Sequence, residues 1–181
     1  MNPQTCIDTT RQWVERVVID LNLCPFAKRE LVKERIRFAV CHADCEEALA
    51  LSLQEEIRHL DRHPETETTL LIHPDVLTDF QDYIEFLALA EGMLEHFGYE
   101  GTYQLASFHP HYQFDGTDPD DVENYTNRSP YPMLHLLREA SLSRAIDHYP
   151  EPEAIPERNM ERVRQLGPAH MRALLRFCQG K

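Results

Sequence analysis

Apolar residues recur at three- and four-residue spacing over 5–23, at Trp13, Val14, Val17, Val18 and Leu21, which predicts a helix with one buried face. Thr5 followed by Asp8 resembles a capping box at its start, and Pro25 ends it near Cys24. The pattern then shortens. Residues 36–41 (IRFAVC) and 68–72 (TTLLI) read as buried strands, and 102–108 as a third. Between them lie two amphipathic helices. One is opened by Asp44 and Glu47 and faces inward through Cys45, Leu49, Leu53, Ile57 and Leu60. The other begins at Asp75, faces inward through Val76, Phe80, Tyr83, Leu87 and Leu94, and stops at Gly98. A further helix is predicted over 133–147 with Pro132 at its first position, and another over 151–166. Gly167-Pro168 breaks the latter, leaving a short amphipathic tail through Met171, Leu174, Leu175 and Cys178.

Strands joined by helical crossovers lie parallel with right-handed connections. The expected fold is therefore a single α/β domain over 1–167 with a helical tail over 168–181. Its sheet should be small, three- to four-stranded and mostly parallel, flanked by helices, with the C-terminal helices packed on it. In such sheets ligands collect at the C-terminal ends of the strands. Here those ends read Cys41-His42, His73-Pro74 and His109-Pro110-His111. The stretch 105–138 is crowded with polar, titratable and aromatic residues, which marks it as the candidate site.

The chemistry expected there follows from the residue types. His109 is the candidate general acid/base, because imidazole titrates near neutral pH, and His73 is its expected neighbour. Cys24 has two readings: a small buried hydrophobe, or a nucleophile whose thiol is acidified by Lys28 and Arg29. Arg128, with Ser129, Tyr131 and Tyr112, is the candidate ligand-binding group. Beside the N-terminus of the predicted helix it would complete an anion pocket. The other reading of Arg128 is that it pairs with the acidic loop 115–123 and fixes the turn. His135, Arg138 and Glu139 on the same predicted helix reach back toward this edge. The histidines with Cys41 suit a borderline transition metal, but no ligand spacing specifies one. A metal site stays a second alternative, and no cofactor is assigned.

Charge narrows the partners. The 181-residue chain has a formal net charge of −13, which opposes binding to nucleic acid or to an anionic membrane surface while permitting a local basic pocket for a small anion. No apolar run approaches the ~18 residues of a spanning helix. Without a leader-like start, and with an odd count of five cysteines, the expectation is a reduced, cytoplasmic setting.

The segments VVIDLNLCPFAKRE, TTLLIHPDVLTDF, ASFHPHYQFDGTDPDDVENYTNRSPYPMLHLLREAS and the late PERN resemble an uncharacterised bacterial family, the domain of unknown function 1415. The resemblance spans roughly 9–167 and implies an α/β protein of about this size, with no activity to transfer. The family pattern has Asp where this chain has His111, and Gly where it has Asp20. That leaves Cys24, His73, His109 and Arg128 as the motif positions. Two functions stay open: an enzyme acting on a small anionic metabolite, and a non-catalytic ligand-binding or regulatory domain.

Overall fold

The computed structural model describes residues 2–180. Helix α1 (Pro3–Trp13) continues directly into a π-helical segment, Val14–Ile19. It starts at Asn2, whose side chain accepts from the Gln4 N–H at 2.9 Å with Pro3 at the first helical position, and not at the Thr5/Asp8 pair. After a short helix α2 (Ala27–Val32) come strand β1 (Ile36–Val40), helix α3 (Glu46–Arg62), strand β2 (Thr68–Ile72), helix α4 (Phe80–His96) and strand β3 (Tyr103–Phe108). The chain then makes a 3₁₀ turn (Val122–Thr126), strand β4 (Met133–Arg138), helix α5 (Glu139–Asp147) and helix α6 (Ile155–Cys178). Helix α4 starts later than its apolar stripe suggests. Asp79 caps it by accepting from the Gln81 and Asp82 N–H groups, and Asp75 lies in the preceding loop. Cys45, not Asp44, precedes α3.

The sheet runs β1-β2-β4-β3. β1 and β2 are parallel, but β4 enters between β2 and β3 and is antiparallel to both. The sheet is therefore mixed and mostly antiparallel, not mostly parallel, and the expected helix over 133–147 begins as a strand. The reason lies in two-sided burial. MLHLLR has apolar residues at both helical and alternate spacings, and helices pack on both faces of the sheet, so no regular apolar/polar alternation marks the strand. Leu134 and Leu136 turn to one face and Met133 to the other, and all three are fully buried. Because β4 reverses the direction twice over, β1, β2 and β3 still point the same way, as the crossovers demand.

One face packs Ala39, Leu71, Leu134, Leu136 and Tyr103 against α3 and α4, through Leu49, Leu53, Ile57, Tyr83 and Phe86. The other face meets the N-terminal helix and α6. Leu70 and Met133 join Trp13, Val17, Tyr125, Val163, Met171 and Cys178 in a second core. Helix α6 is broken at Gly167, whose φ of 79° and ψ of 161° redirect the last turns so that Met171 and Cys178 are buried there. No helix among the described residues is long and apolar enough to cross a membrane.

Candidate functional site

His73 and His109 follow β2 and β3 and are both fully buried. Their rings hold the loop that precedes α4. His73 Nδ1 donates to the Val76 carbonyl at 3.0 Å, and His109 Nε2 to the Leu77 carbonyl at 3.1 Å. Leu77 adopts a left-handed φ of 55°, a conformation that needs outside support. His109 Nδ1 accepts the His111 N–H at 3.0 Å, so both its nitrogens are occupied. Burial pushes both imidazoles down to about 4, which leaves them neutral at pH 7. Phe80 and Tyr83 pack against the His109 ring, and the Tyr83 hydroxyl bridges β3 and β4 by donating to Met133 O and accepting from the Phe108 N–H.

Arg128 is spent on its own loop. Nε donates to Tyr112 O at 3.1 Å, a terminal nitrogen donates to Pro119 O at 2.6 Å, and the guanidinium lies over the Tyr125 ring. The helix N-terminus expected beside it is absent because Met133–Arg138 is a strand. Ser129 donates to Tyr131 O, and the Tyr112 ring packs on Phe80 and Phe114. The acidic loop is organised by buried Asn124, whose carbonyl oxygen accepts from Phe114 N–H and Thr117 Oγ1 while Nδ2 donates to Asp118 O. Among the described residues, no three or more His, Cys, Asp or Glu side chains are arranged to hold a metal ion.

Cys24 stands elsewhere. It lines a cleft of about 840 Å³ on the second face of the sheet, together with His135 and without His73, His109 or Arg128. The floor is the sheet itself, with Ile36, Thr68, Leu70, His135, Leu137 and Phe108 among its residues. The walls are the π-helical segment and the turn through Pro25 and Phe26 on one side, and α5 with Tyr149 on the other. A π-helix carries an extra residue per turn and recurs at functional sites. Here it brings Val14 and Val18 to the cleft, and Asn159 of α6 fixes the following turn by donating to Leu23 O at 2.7 Å. The Cys24 thiol is pushed up by burial, with the Phe26 and Ala27 N–H groups pulling it only part of the way back. Lys28 and Arg29 are exposed to solvent and do not acidify it.

Polar groups gather at two places in this cleft. At its inner end Arg35 forms ion pairs with Glu30 and Glu67. At its mouth Arg144 of α5 has Ser141 Oγ as its hydrogen-bond partner and no carboxylate among the described residues, and Arg29, 3.5 Å from Glu30 and mostly exposed, lies in the lining too. Arg138 reaches the cleft by its backbone position only, since its guanidinium turns to the opposite face and donates to Thr66 O, Leu60 O, His63 O and the Tyr103 hydroxyl at the end of α3. The side chains of the lining thus bring three arginines and two carboxylates to the cleft, against 18 basic and 31 acidic residues in the whole chain. Charge in the cleft is reversed relative to the molecule.

The cleft residues His135, Thr68 and Arg144 were not prominent in the sequence because they belong to different elements and to no spaced motif. One signal was available: a histidine between leucines in MLHLLR is hard to place if that segment is a strand with two apolar faces.

Comparison with known families gives one finding. A family described as a protein of unknown function, DUF1415, matches residues 5–173. No curated protein and no solved structure matches.

Proposed function

The chain belongs to the DUF1415 family, for which no activity is described, and on that premise we propose that it binds a small amphipathic anion in the cleft on the second face of the sheet. The observation that carries the reading is the reversed charge of an apolar-floored cleft of about 840 Å³, inside a protein of net charge −13. Ligand sites have volumes in this range, mostly apolar walls and a few placed polar groups. An apolar body would lie along Leu70, Phe108, Leu137 and Leu142, and an anionic head at the mouth would meet Arg144 and Arg29.

This reading moves the expected small anion away from the C-terminal edge of the sheet. There His73 and His109 hold the loop before α4, Arg128 and Ser129 bond within their own loop, and Tyr112 packs on Phe80 and Phe114. The Tyr131 hydroxyl turns toward Thr9 and Cys6 of α1, and an acid/base role for His109 needs a ring that is not sealed. A nucleophilic role for Cys24 needs a thiolate that burial disfavours. Between enzyme and binding domain we favour binding: the Thr68 hydroxyl beside His135 gives its proton to the Leu136 carbonyl and is not activated by the imidazole, and burial keeps the Cys24 thiol protonated.

The test uses the apolar fluorescent anion 1-anilinonaphthalene-8-sulfonate and its displacement. Decanoate is expected to displace it more effectively than decanol. The double substitution Arg29→Glu, Arg144→Glu should weaken decanoate about fivefold or more while leaving decanol unchanged, since rim charges act through a largely aqueous path. Equal displacement by the acid and the alcohol, unaltered in the variant, would sink the anion reading. Failure of both to displace the dye would sink the cleft as a small-molecule site.

A further inference from the structure

Resting on the amphipathic-anion reading, we infer that the ligand carries a hydrogen-bond donor at its buried end, a hydroxyl or an N–H, which seats on Nδ1 of His135. His135 lies on β4, the strand inserted in the middle of the sheet, and pairs across it with Leu70 on one side and Ala106 on the other. All three line the cleft floor. Its Nε2 is 2.7 Å from Thr68 Oγ1. The Thr68 hydroxyl has one proton, and it points at the Leu136 carbonyl. The imidazole must therefore supply the proton on its own bond to Thr68. That assignment puts hydrogen on Nε2 and a lone pair on Nδ1.

Nδ1 has no hydrogen-bond partner among the described residues. It also differs from His73 Nε2, which is sealed away from any ligand: His135 Nδ1 is not among the enclosed unpartnered atoms, and its ring lines the cleft. The result is an acceptor of fixed direction in an apolar floor, with Phe108 packed at a ring distance of 6.0 Å. Desolvation holds its pKa at about 4, so at neutral pH the ring stays an acceptor and does not become a cation. A base this weak does not abstract protons from ordinary hydroxyls at pH 7, and the role that fits is specificity. A methyl-ended ligand would cover Nδ1 without satisfying it, at the cost of an unpaired buried acceptor.

A matched series tests this: straight-chain carboxylates from hexanoate to dodecanoate, each with and without a terminal hydroxyl, titrated by calorimetry into the full chain. On an apolar floor a hydroxyl weakens binding, so the sign of the effect decides. At the best-fitting length the hydroxy acid is expected to bind about tenfold more tightly than its methyl-ended partner. His135→Leu should reverse that order. Thr68→Val, which frees the ring to change tautomer, should shrink the preference severalfold and serves as the second variant if the leucine substitution does not fold. If the methyl-ended acids bind as well or better at every length, the donor proposal is overturned while the cleft reading stands. The proposal is likewise overturned if the hydroxyl preference is undiminished in the folded variants. Absence of binding by either series would overturn both.

Discussion

At the scale of single residues, burial decides more than neighbours in sequence. Cys24 is followed by Lys28 and Arg29, which on paper favour a thiolate. In the fold both cations point to solvent while the sulfur is turned into the cleft wall, and its pKa is raised. Iodoacetamide at pH 7.5 should therefore modify Cys24 several times more slowly than exposed Cys45, as read by peptide mapping. Faster labelling of Cys24 would restore its candidacy as a nucleophile. The same lesson covers Arg128, whose guanidinium sits over Tyr125 and donates to two loop carbonyls. Of its two sequence readings, the one in which it fixes the turn lies nearer to this geometry, although the partners are carbonyl oxygens and not the acidic side chains.

At the scale of elements, the N-terminal helix, α3, α4 and the first three strands were legible because each has one period and one buried face. β4 was not. Met133, Leu136 and Leu137 have helical spacing, and nothing in a single sequence says that a strand buried on both faces will lie there. Losing β4 also lost His135 as a floor residue, since on a helix it would have pointed toward the other edge. The break at Gly167-Pro168 was legible, yet its use was not: it folds the end of the chain back onto Trp13. Gly167 has φ 79° and ψ 161°, a region that is essentially closed to residues with a Cβ. Gly167→Ala should cost about 1–3 kcal/mol, visible as a lower urea midpoint. An unchanged midpoint would mean that the last turns add nothing to the second core.

At the scale of the whole molecule, the buried neutral histidines tie stability to pH. His73 and His109 have folded-state values of about 4, against an ordinary value near 6.5. Between those limits the unfolded chain binds protons that the folded chain does not. Stability is thus full above about pH 6.5 and is lost as pH falls toward 4, by up to about 1.4 kcal/mol per pH unit for each ring. Urea midpoints at pH 7.5, 6 and 5 should fall in that order, and His73→Gln, less stable at pH 7.5, should show a shallower decline. A midpoint that stays level down to pH 5 would show that these rings are not neutral and sealed. The insertion of β4 between β2 and β3 also sets an order of assembly. A chain emerging from synthesis holds β1, β2, β3 and both their helices long before the strand that joins β2 to β3 appears. Until Met133–Arg138 arrives, β3 has no strand partner and β2 keeps one edge open, and pairings made across so long a stretch of chain form slowly. The strand that presents His135 to the cleft is thus also the last needed to close the sheet, so the ligand floor and the cooperative fold come into being in one step.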